Sequence, residues 1–382
     1  MKTLCLLSLI LFSSLAYSQS DSDIPKYNGA MDELYLNRQP SARVDAMGKA
    51  SAVSMTGDFG SYYNPALTSM SKGITANASF SSPYYFDETI KLNYLELGYS
   101  DKKIGSISFS RYFLNVGEYN YKDRRFYSYT RPATYNSIYR LNYSREIVKN
   151  FYAGVNFGAS HMGFDIIPVP FQVGNEKPKS TAAVDAFTLD FGLLKKFEFE
   201  PTKVNKSLHS IIIGASIYNI NKPAITNYRT KAETYSLPQI LRLGACYNVK
   251  LGPKQSSKDA YVIQSTTNIE YENVVNSEYD VIYKFGEELL IADFFSIRTG
   301  YFNTSVNDNQ YESGYTNSKN DETQFDFSFG LGLKIPLSEM FNMKNSLVLK
   351  FDFAHLSTPV RGNASPDGEA YTTYAFNLNY IP

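Results

Sequence analysis

Few residues in this chain are of the types that carry out catalysis. The 382 residues include only three histidines and two cysteines, which leaves little material for a histidine-dependent enzyme or a zinc site. The sequence has no nucleophile-elbow, zinc-protease, phosphate-loop or paired-cysteine motif. His161, His209 and His355 lie on or near predicted strands, where a lone histidine is usually a packing residue, and Cys246 is best explained in the same way. We therefore predict no catalytic residues, no metal site and no cofactor.

A second group of candidate residues is charged and lies on the polar side of segments that alternate between apolar and polar positions. The group consists of Asp190, Arg242, Glu270, Asp326, Lys350 and Asp352. These side chains can pair with one another or with Arg43, Asp45 and Asp58, which precede the alternating part of the chain. Two interpretations stay open. The pairs hold the N-terminal segment in place, which we favour, or they form a polar path that opens when the segment moves. Both interpretations predict that Arg242 and Arg298 bond inwards.

The alternation itself has a period of two residues and predicts β-strands. In the stretch 325–335, Phe327 and Leu331 fall on one face, and Asp326 and Lys334 fall on the other. Most of the alternating segments have ten or more residues, whereas strands of soluble domains usually have about 5–6. About 9–11 tilted residues is the length that crosses a bilayer in a barrel. Fourteen strands are predicted at 73–81, 89–100, 102–113, 135–146, 149–163, 181–199, 207–220, 237–250, 259–274, 279–291, 294–304, 324–335, 345–356 and 370–381.

We predict an all-β fold in which residues 73–382 form a closed antiparallel transmembrane β-barrel of about 14 strands. A soluble sandwich would alternate too, but it would bury the apolar face. The strand length and the many aromatic residues near strand ends favour the barrel. Residues 1–18 have one positive charge, an apolar run and a small-residue cleavage site, which is typical of a signal peptide. Together these features predict export to the outer membrane of a Gram-negative bacterium, with lipid around the barrel.

The segment 19–72, which precedes the first predicted strand, differs from the rest of the chain. It is rich in small residues around Gly48 and ends in an aromatic and apolar stretch that reaches Leu67. Because this content is too high for a solvated tail, we predict that the segment folds inside the lumen as a plug or hatch. The alternative is a disordered periplasmic tail.

Two stretches of this segment resemble a known family. The run 41–48, Ser-Ala-Arg-Val-Asp-Ala-Met-Gly, and the run 62–67, Tyr-Tyr-Asn-Pro-Ala-Leu, resemble the N-terminal signature of the PorV/PorQ family within the FadL-like superfamily of outer-membrane proteins. Stretches near 237–245, 294–301 and 329–333 are similar to the family pattern as well. The resemblance covers most of the chain after the signal peptide and implies a fourteen-stranded barrel with its N-terminal segment inside. The plug motif that it implies consists of Arg43, Asp45, Gly48, Asn64, Pro65 and Ala66.

Charge and family resemblance limit the function classes. Lysine plus arginine and aspartate plus glutamate both number 37, so nothing suggests a nucleic-acid partner. The first hypothesis is a non-enzymatic barrel of the PorV/PorQ type that acts in secretion or surface attachment of exported proteins, as in type IX secretion, through a protein partner. Long tyrosine-rich loops, above all 114–134, could bind that partner. The alternative is a FadL-like channel for hydrophobic small molecules. Apolar surface in the lumen would favour the channel, and a lumen filled by polar side chains would favour the partner role.

Overall fold

The computed structural model describes the parts of the chain that build a barrel and its interior. The described residues are 38–54, 56–81, 90–116, 119–122, 128–131, 134–166, 180–199, 207–226, 234–252, 262–275, 281–305, 323–357 and 370–382. The predicted signal peptide, the first half of the predicted plug and the central parts of most long connections lie outside them.

Fourteen of the strands form one closed barrel in which every neighbouring pair is antiparallel. The first strand pairs with the last, from Ile74 opposite Tyr380 to Ser81 opposite Thr373, and this pairing closes the cylinder. The predicted fold and strand number are confirmed, and no predicted strand end differs from the observed one by more than four residues. In chain order, the strands are β1 (Gly73–Ser81), β2 (Ile90–Asp101), β3 (Gly105–Val116), β4 (Tyr119–Lys122), β5 (Ser128–Arg131), β6 (Thr134–Val148), β7 (Phe151–Ile166), β8 (Ser180–Phe199), β9 (Leu208–Ile217), β10 (Ala224–Thr226), β11 (Thr234–Ser236), β12 (Ile240–Leu251), β13 (Ile263–Val274), β14 (Ile282–Ile291), β15 (Phe295–Ser305), β16 (Thr323–Pro336), β17 (Ser346–Ser357) and β18 (Ala370–Ile381).

Two small hairpins stand apart from the barrel, β4 with β5 and β10 with β11. The sequence predicts loops in both places. The difference arises because these stretches contain tyrosine and threonine, which favour extended backbone, in runs of only three or four residues. Such runs are too short for their alternation to be distinguished from an irregular connection.

Most of the large apolar side chains in the middle of the barrel strands face outwards. Phe327 is 71% exposed, Leu331 44% and Phe376 41%, while Leu349 is half-buried on the same outer face. The residues between them point into the lumen, where Ser328, for example, is buried. A soluble barrel would place its apolar side chains inside, so this distribution is the one expected where lipid surrounds the wall. None of the helices in the described ranges has the length and apolar character that a bilayer-crossing helix requires.

Residues 38–72, hereafter the inner segment, lie inside the barrel and form short helices. Ser41 caps α1 (Ala42–Ala46) by accepting a hydrogen bond from Val44 N. After α2 (Gly60–Tyr63), Asn64 caps a 3₁₀ helix (Pro65–Met70) by accepting a hydrogen bond from Ala66 N at 3.0 Å. Proline at the first helical position favours this start because it has no N–H to leave unpaired. The helix α3 (Leu337–Met340) lies in the β16–β17 connection.

Candidate functional site

The lumen is the candidate functional site, and its two ends differ. Consecutive strands meet in tight turns at 102–104, 149–150 and 292–294, which define the short-turn end of the barrel. The longer connections, such as those after β1, β3 and β7, define the loop end. The inner segment crosses the lumen between these ends, and Ala42, Ala46, Tyr62 and Ala66 are all at most 1% exposed.

Wall glycines allow the backbone of the inner segment to lie directly against the strands. A Cβ atom added at Gly300 would overlap Gly48 N, and one added at Gly286 would overlap the Met47 carbonyl. Gly48 itself has a φ of +63°, a conformation that favours glycine. On the other side of the lumen, a Cβ at Gly192 would overlap Asn64 Oδ1. Strand glycines therefore permit the close approach of the inner segment to the wall.

One ion-pair network joins the start of the inner segment to β14–β17. The Arg43 guanidinium pairs with Glu288 at 2.5 Å, and Arg298 pairs with the same carboxylate at 2.7 Å. Arg298 also lies 2.7 Å from Asp352. Further along the inner segment, Asp58 pairs with Lys350 at 2.5 Å. These pairs place two of the inner segment's charged residues opposite charges of the wall, so the segment is held electrostatically on this side.

The pKa values of the inner segment follow from this burial and pairing. Burial alone would lower the pKa of Arg43, but the Glu288 carboxylate outweighs it and the pKa lies above its ordinary value. Burial raises the pKa of the Asp45 carboxyl to about 6, although Lys49 and a hydrogen bond from Thr373 oppose the rise. Thr373 donates to Asp45 at 2.8 Å. Asp45 therefore gains or loses its charge near neutral pH, whereas Arg43 stays charged.

A second network lies in the wall strands β12–β14. Lys284 donates to Glu270 at 2.8 Å and to Glu272 at 2.6 Å, and Arg242 donates to Glu272 at 2.6 Å. Glu270 also accepts hydrogen bonds from the backbone N–H groups of Ser51 and Ala52. Since two carboxylates face two cations, the formal charges of the buried network balance, and the Glu270 carboxylate links it to backbone N–H groups of the inner segment.

The opposite side of the lumen holds the inner segment by neutral hydrogen bonds. Asn142 donates to the Pro65 carbonyl at 3.1 Å, and Thr68 Oγ1 donates to Asn142 Oδ1 at 2.6 Å. Asn156 donates to the Ser61 carbonyl at 2.7 Å. The Asn64 amide donates at 2.9 Å to the Ala52 carbonyl within the inner segment. None of these bonds joins two charged groups.

The residues predicted from the sequence occupy different parts of this arrangement. Arg43, Asp45, Gly48, Asn64, Pro65 and Ala66 all lie in the inner segment and contact the wall or cap a helix. Asp190, Arg242, Glu270, Lys350 and Asp352 project into the lumen within ion pairs, and Asp326 lies at an inward position near the loop end of β16.

Sequence reasoning missed four inward charged residues that complete these pairs. Arg140 pairs with Asp190 at 2.9 Å, and Glu272, Lys284 and Glu288 belong to the two networks above. In its own strand, each of the four lies an even number of residues from the other inward positions. The alternation pattern could therefore have predicted that it faces the lumen. Within the described ranges, no group of three or more histidine, cysteine, aspartate or glutamate side chains is placed to hold a metal ion.

An apolar layer lies at the loop end of the lumen. Its residues are inward-facing, buried, and located at or near the strand ends next to the longer connections. They belong to one apolar cluster that includes Phe59, Tyr62 and Tyr63 of the inner segment. Consequently, the inner wall changes from apolar at this end to charged and amide-bearing in the middle. The layer consists of Leu92, Leu114, Ile138, Met162, Ile240, Val274, Ile282, Phe302 and Leu356.

A polar cavity of about 270 Å³ lies towards the short-turn end. Its lining includes Arg43, Asp58 and Glu288 together with Asp293 and Lys334 near the turns. Lys334 pairs with Asp293 at 2.6 Å. The cavity is therefore suited to water and ions, and it is separated from the apolar layer by the inner segment and its networks.

Comparison with known proteins gives structural likeness only. No family model matches the sequence, and no curated protein matches it. The chain is similar to the CymD monoaromatic hydrocarbon channel (10% identity, 89% of this chain and 96% of that chain, TM-score 0.44) and to the Pseudomonas putida toluene transporter TodX (10%, 91% and 98%, 0.44). It is also similar to a Pseudomonas aeruginosa FadL homologue (8%, 90% and 98%, 0.44). All three TM-scores are below 0.5, so the function has to be inferred from the residues of this chain.

Proposed function

We propose that this protein is an outer-membrane barrel that takes up hydrophobic small molecules, with the inner segment acting as its plug. The observation that carries the proposal is the apolar layer at the loop end of the lumen. Nine inward-facing apolar side chains at that end are buried in one cluster with the inner segment, and they would present an apolar surface to a ligand once that segment moves. A hydrophobic molecule that leaves water gains free energy by contact with such a surface, at about 25 cal/mol per Å² of apolar area buried.

The orientation follows from the two ends of the barrel. Outer-membrane barrels have short turns on the periplasmic side and longer loops outside. The apolar layer then faces the exterior, where the molecule enters, and the polar cavity faces the periplasm. The outward-facing apolar side chains of the wall, which include Phe327 and Phe376, lie in the lipid.

The inner segment blocks the axial route in the structure. Below the apolar layer, ion pairs and backbone contacts fill the lumen, so a hydrophobic molecule has no continuous apolar path to the periplasm among the described residues. Uptake therefore requires the inner segment to move. Arg43 and Asp58 can exchange their ion pairs with the wall for contacts with water when it does. In this proposal the predicted plug motif serves to seat and release the segment.

The test is uptake into vesicles that contain the purified full-length protein. We expect vesicles to accumulate an alkylbenzene faster than protein-free vesicles, and Leu114→Asn with Ile138→Asn to lower this rate at least tenfold. Leu290→Asn is the control, because Leu290 faces the polar cavity rather than the apolar layer. Equal rates for the wild type and the double variant would overturn the proposal.

A second candidate function is the PorV/PorQ-type role in secretion or surface attachment of exported proteins. The polar, plug-filled middle of the lumen favours it, because a scaffold needs no open path. Deleting the gene separates the two candidates. A changed set of surface-attached or secreted proteins with unchanged hydrocarbon uptake would support the secretion role, and the reverse result would support the channel.

A further inference from the structure

Two charged side chains lie on the outer face of the barrel, in the middle of strands, and the next outward residue on either side of each is apolar. Arg111 in β3 lies between Leu95 and Tyr139 of the adjacent strands. Glu287 in β14 lies between Thr267 and Thr299 of its neighbours. Their outward direction follows from the alternation, since Ser110 and Glu288, the adjacent residues, are buried inside. Charged groups at this depth are unfavourable in lipid, and in membrane proteins they usually have a partner.

In the part of the chain that the structure describes, the groups in contact with both charges are neutral. The Arg111 guanidinium lies over the rings of Phe113 and Tyr139, with its carbon 4.2 Å and 5.7 Å from the ring centroids, and its Nε has no hydrogen-bond partner. Glu287 accepts hydrogen bonds from Ser265 at 2.6 Å and from Thr267 at 2.5 Å, both of them neutral hydroxyl groups. Among the described residues, no carboxylate lies within ion-pair distance of Arg111, and no cation pairs with Glu287.

Two other outward charges bond to groups of the same chain. Asp185 pairs with His161 at 2.7 Å, and Lys195 donates to the Lys149 carbonyl at 3.0 Å, at a short turn. Arg111 and Glu287 carry opposite charges. Neighbouring groups of the barrel wall hold each side chain in place, and each lacks a counter-charge among the described residues.

The two charges lie on opposite sides of the cylinder. In the closed order of fourteen strands, β3 and β14 are seven strands apart in either direction, which is half the circumference. Arg111 lies six residues from the short-turn end of β3, and Glu287 lies four residues from that end of β14. The difference of two residues is about 7 Å along a strand, a distance that the long arginine side chain can largely cover.

We propose that copies of this chain associate side by side in the membrane, with Arg111 of one barrel pairing with Glu287 of the next. Exposed apolar side chains flank both charges, Leu95 and Phe109 on one side and Ile269 and Leu289 on the other, and they pack at the same contact. Because the two surfaces differ and lie opposite each other, the contact is head-to-tail, and it extends copies into rows rather than closing a ring. The association depends on the outer face lying in lipid and is independent of what the lumen carries.

Charge complementarity decides between the two kinds of self-contact. A two-fold symmetric contact through either surface would set Glu287 against Glu287 or Arg111 against Arg111, and like charges at such a depth repel. The head-to-tail contact pairs opposite charges with the same two surfaces. A lipid-only environment would leave both charges without a counter-charge.

The test uses cysteine cross-linking of full-length protein in phospholipid vesicles. Two differently tagged chains are mixed, one carrying Leu95→Cys and the other Leu289→Cys, while Cys246 is buried and stays in both. We expect disulfide-linked heterodimers at least tenfold above those of a control pair, Phe157→Cys with Leu331→Cys. These two outward residues are also half a circumference apart, and the residues paired with them on the adjacent strands are uncharged.

Charge reversal then tests the pairing itself. R111E alone and E287R alone are expected to lower cross-linking at least fivefold, and the R111E/E287R double variant is expected to restore it. The milder R111Q and E287Q keep the test usable if a reversed charge prevents folding, which heat-modifiable migration on gels reports. Cross-linking no higher than the control pair, Leu289→Cys homodimers in excess, or a double variant that does not recover would each overturn the proposal.

Discussion

The two sides of the lumen hold the inner segment with different chemistry. Residues 43–58 contact β13–β18 mainly through ion pairs and a buried carboxyl, with Glu288 and Lys350 as the wall partners of Arg43 and Asp58. Residues 59–70 contact β2–β9 through hydroxyl and amide groups and through packing of tyrosine rings, for example Tyr62 against Tyr112 at 5.3 Å. The first side, the charged side, is held by ion pairs. On the second, the neutral side, the segment has no charged residue of its own, and the ionisable wall groups Glu96 and Arg140 meet the Ser61 hydroxyl and the Tyr62 ring.

This difference indicates which part of the inner segment moves. The neutral side lies next to β1 in sequence, so its contacts fix the chain where it enters the barrel wall. On the charged side, water can replace the ionic partners, because charged groups regain hydration when they separate. We therefore expect residues 43–58 to leave the wall first while residues 59–70 stay bound.

The largest expected effect comes from Glu288→Gln on the charged side. The change leaves Arg43 and Arg298 beside a neutral amide in a buried site, and removing one member of a buried ion pair costs about 3–5 kcal/mol. Hydrogen exchange measured by mass spectrometry should show faster exchange in residues 43–58 and little change in residues 59–70. Glu198→Gln is the matched control, since Glu198 is half exposed and its pair with Lys196 lies near a strand end. Equal exchange on both sides would contradict the comparison.

The sequence predicts the wall well because its signal is local. Each strand carries its own alternation, so residues such as Phe327 and Phe376 reveal the outward face without any knowledge of their neighbours. Ion pairs have no such signal. Glu288 and Arg43 are separated by 245 positions in the sequence, so whether they meet depends on the path of the inner segment and on the register of three strands.

The apolar layer was missed for a different physical reason. At the loop end of β14, for example, inward Ile282 lies between Val281 and outward Tyr283, so apolar and aromatic residues follow one another. Where both faces are apolar, alternation fades and the pattern no longer separates lumen from lipid. The sequence leaves open whether the lumen has apolar surface, and the structure places such a layer at the loop end.

A pH change should weaken the charged side selectively through Asp45. Its folded pKa of about 6 lies above the ordinary value of 3.8, so the folded state retains a proton that the unfolded state loses. Stability from this group is therefore present below about pH 4 and is lost as the pH rises through 6, by up to about 3 kcal/mol. The opening free energy of residues 43–58, measured by hydrogen exchange and corrected for intrinsic rates, should fall between pH 4 and pH 7. Asp45→Asn should remove this dependence, and an opening free energy that rises with pH would refute the assignment.

Glycine-to-alanine substitutions in the wall should loosen the two sides of the inner segment independently, because each adds a methyl group at a different contact. Gly300→Ala places a methyl group against Gly48 and should loosen residues 43–58, while Gly192→Ala places one against Asn64 and should loosen residues 59–70. Each is expected to cost about 1–3 kcal/mol, the usual range for an overpacked contact. Gly163→Ala is the control, because its added atom would lie 3.4 Å from His161 Nε2, an ordinary contact, and its three nearest atoms all belong to the wall. A uniform loss of protection across the inner segment in both variants would mean that the two sides move together.

The smallest effect is expected from Thr68→Val on the neutral side. The substitution keeps the shape of the side chain and removes a hydroxyl that lies 2.6 Å from both Asn142 Oδ1 and Ser144 Oγ. Asn142 keeps its bonds to the Pro65 carbonyl and to Asn156, so the loss should be close to that of one neutral hydrogen bond, about 1 kcal/mol. Exchange in residues 59–70 should rise slightly and equally at pH 5 and pH 7, since no charge is involved. If Thr68→Val loosened the inner segment as much as Glu288→Gln does, the neutral side would hold the segment no more strongly than the charged side. The expectation that residues 43–58 leave the wall before residues 59–70 would then be wrong.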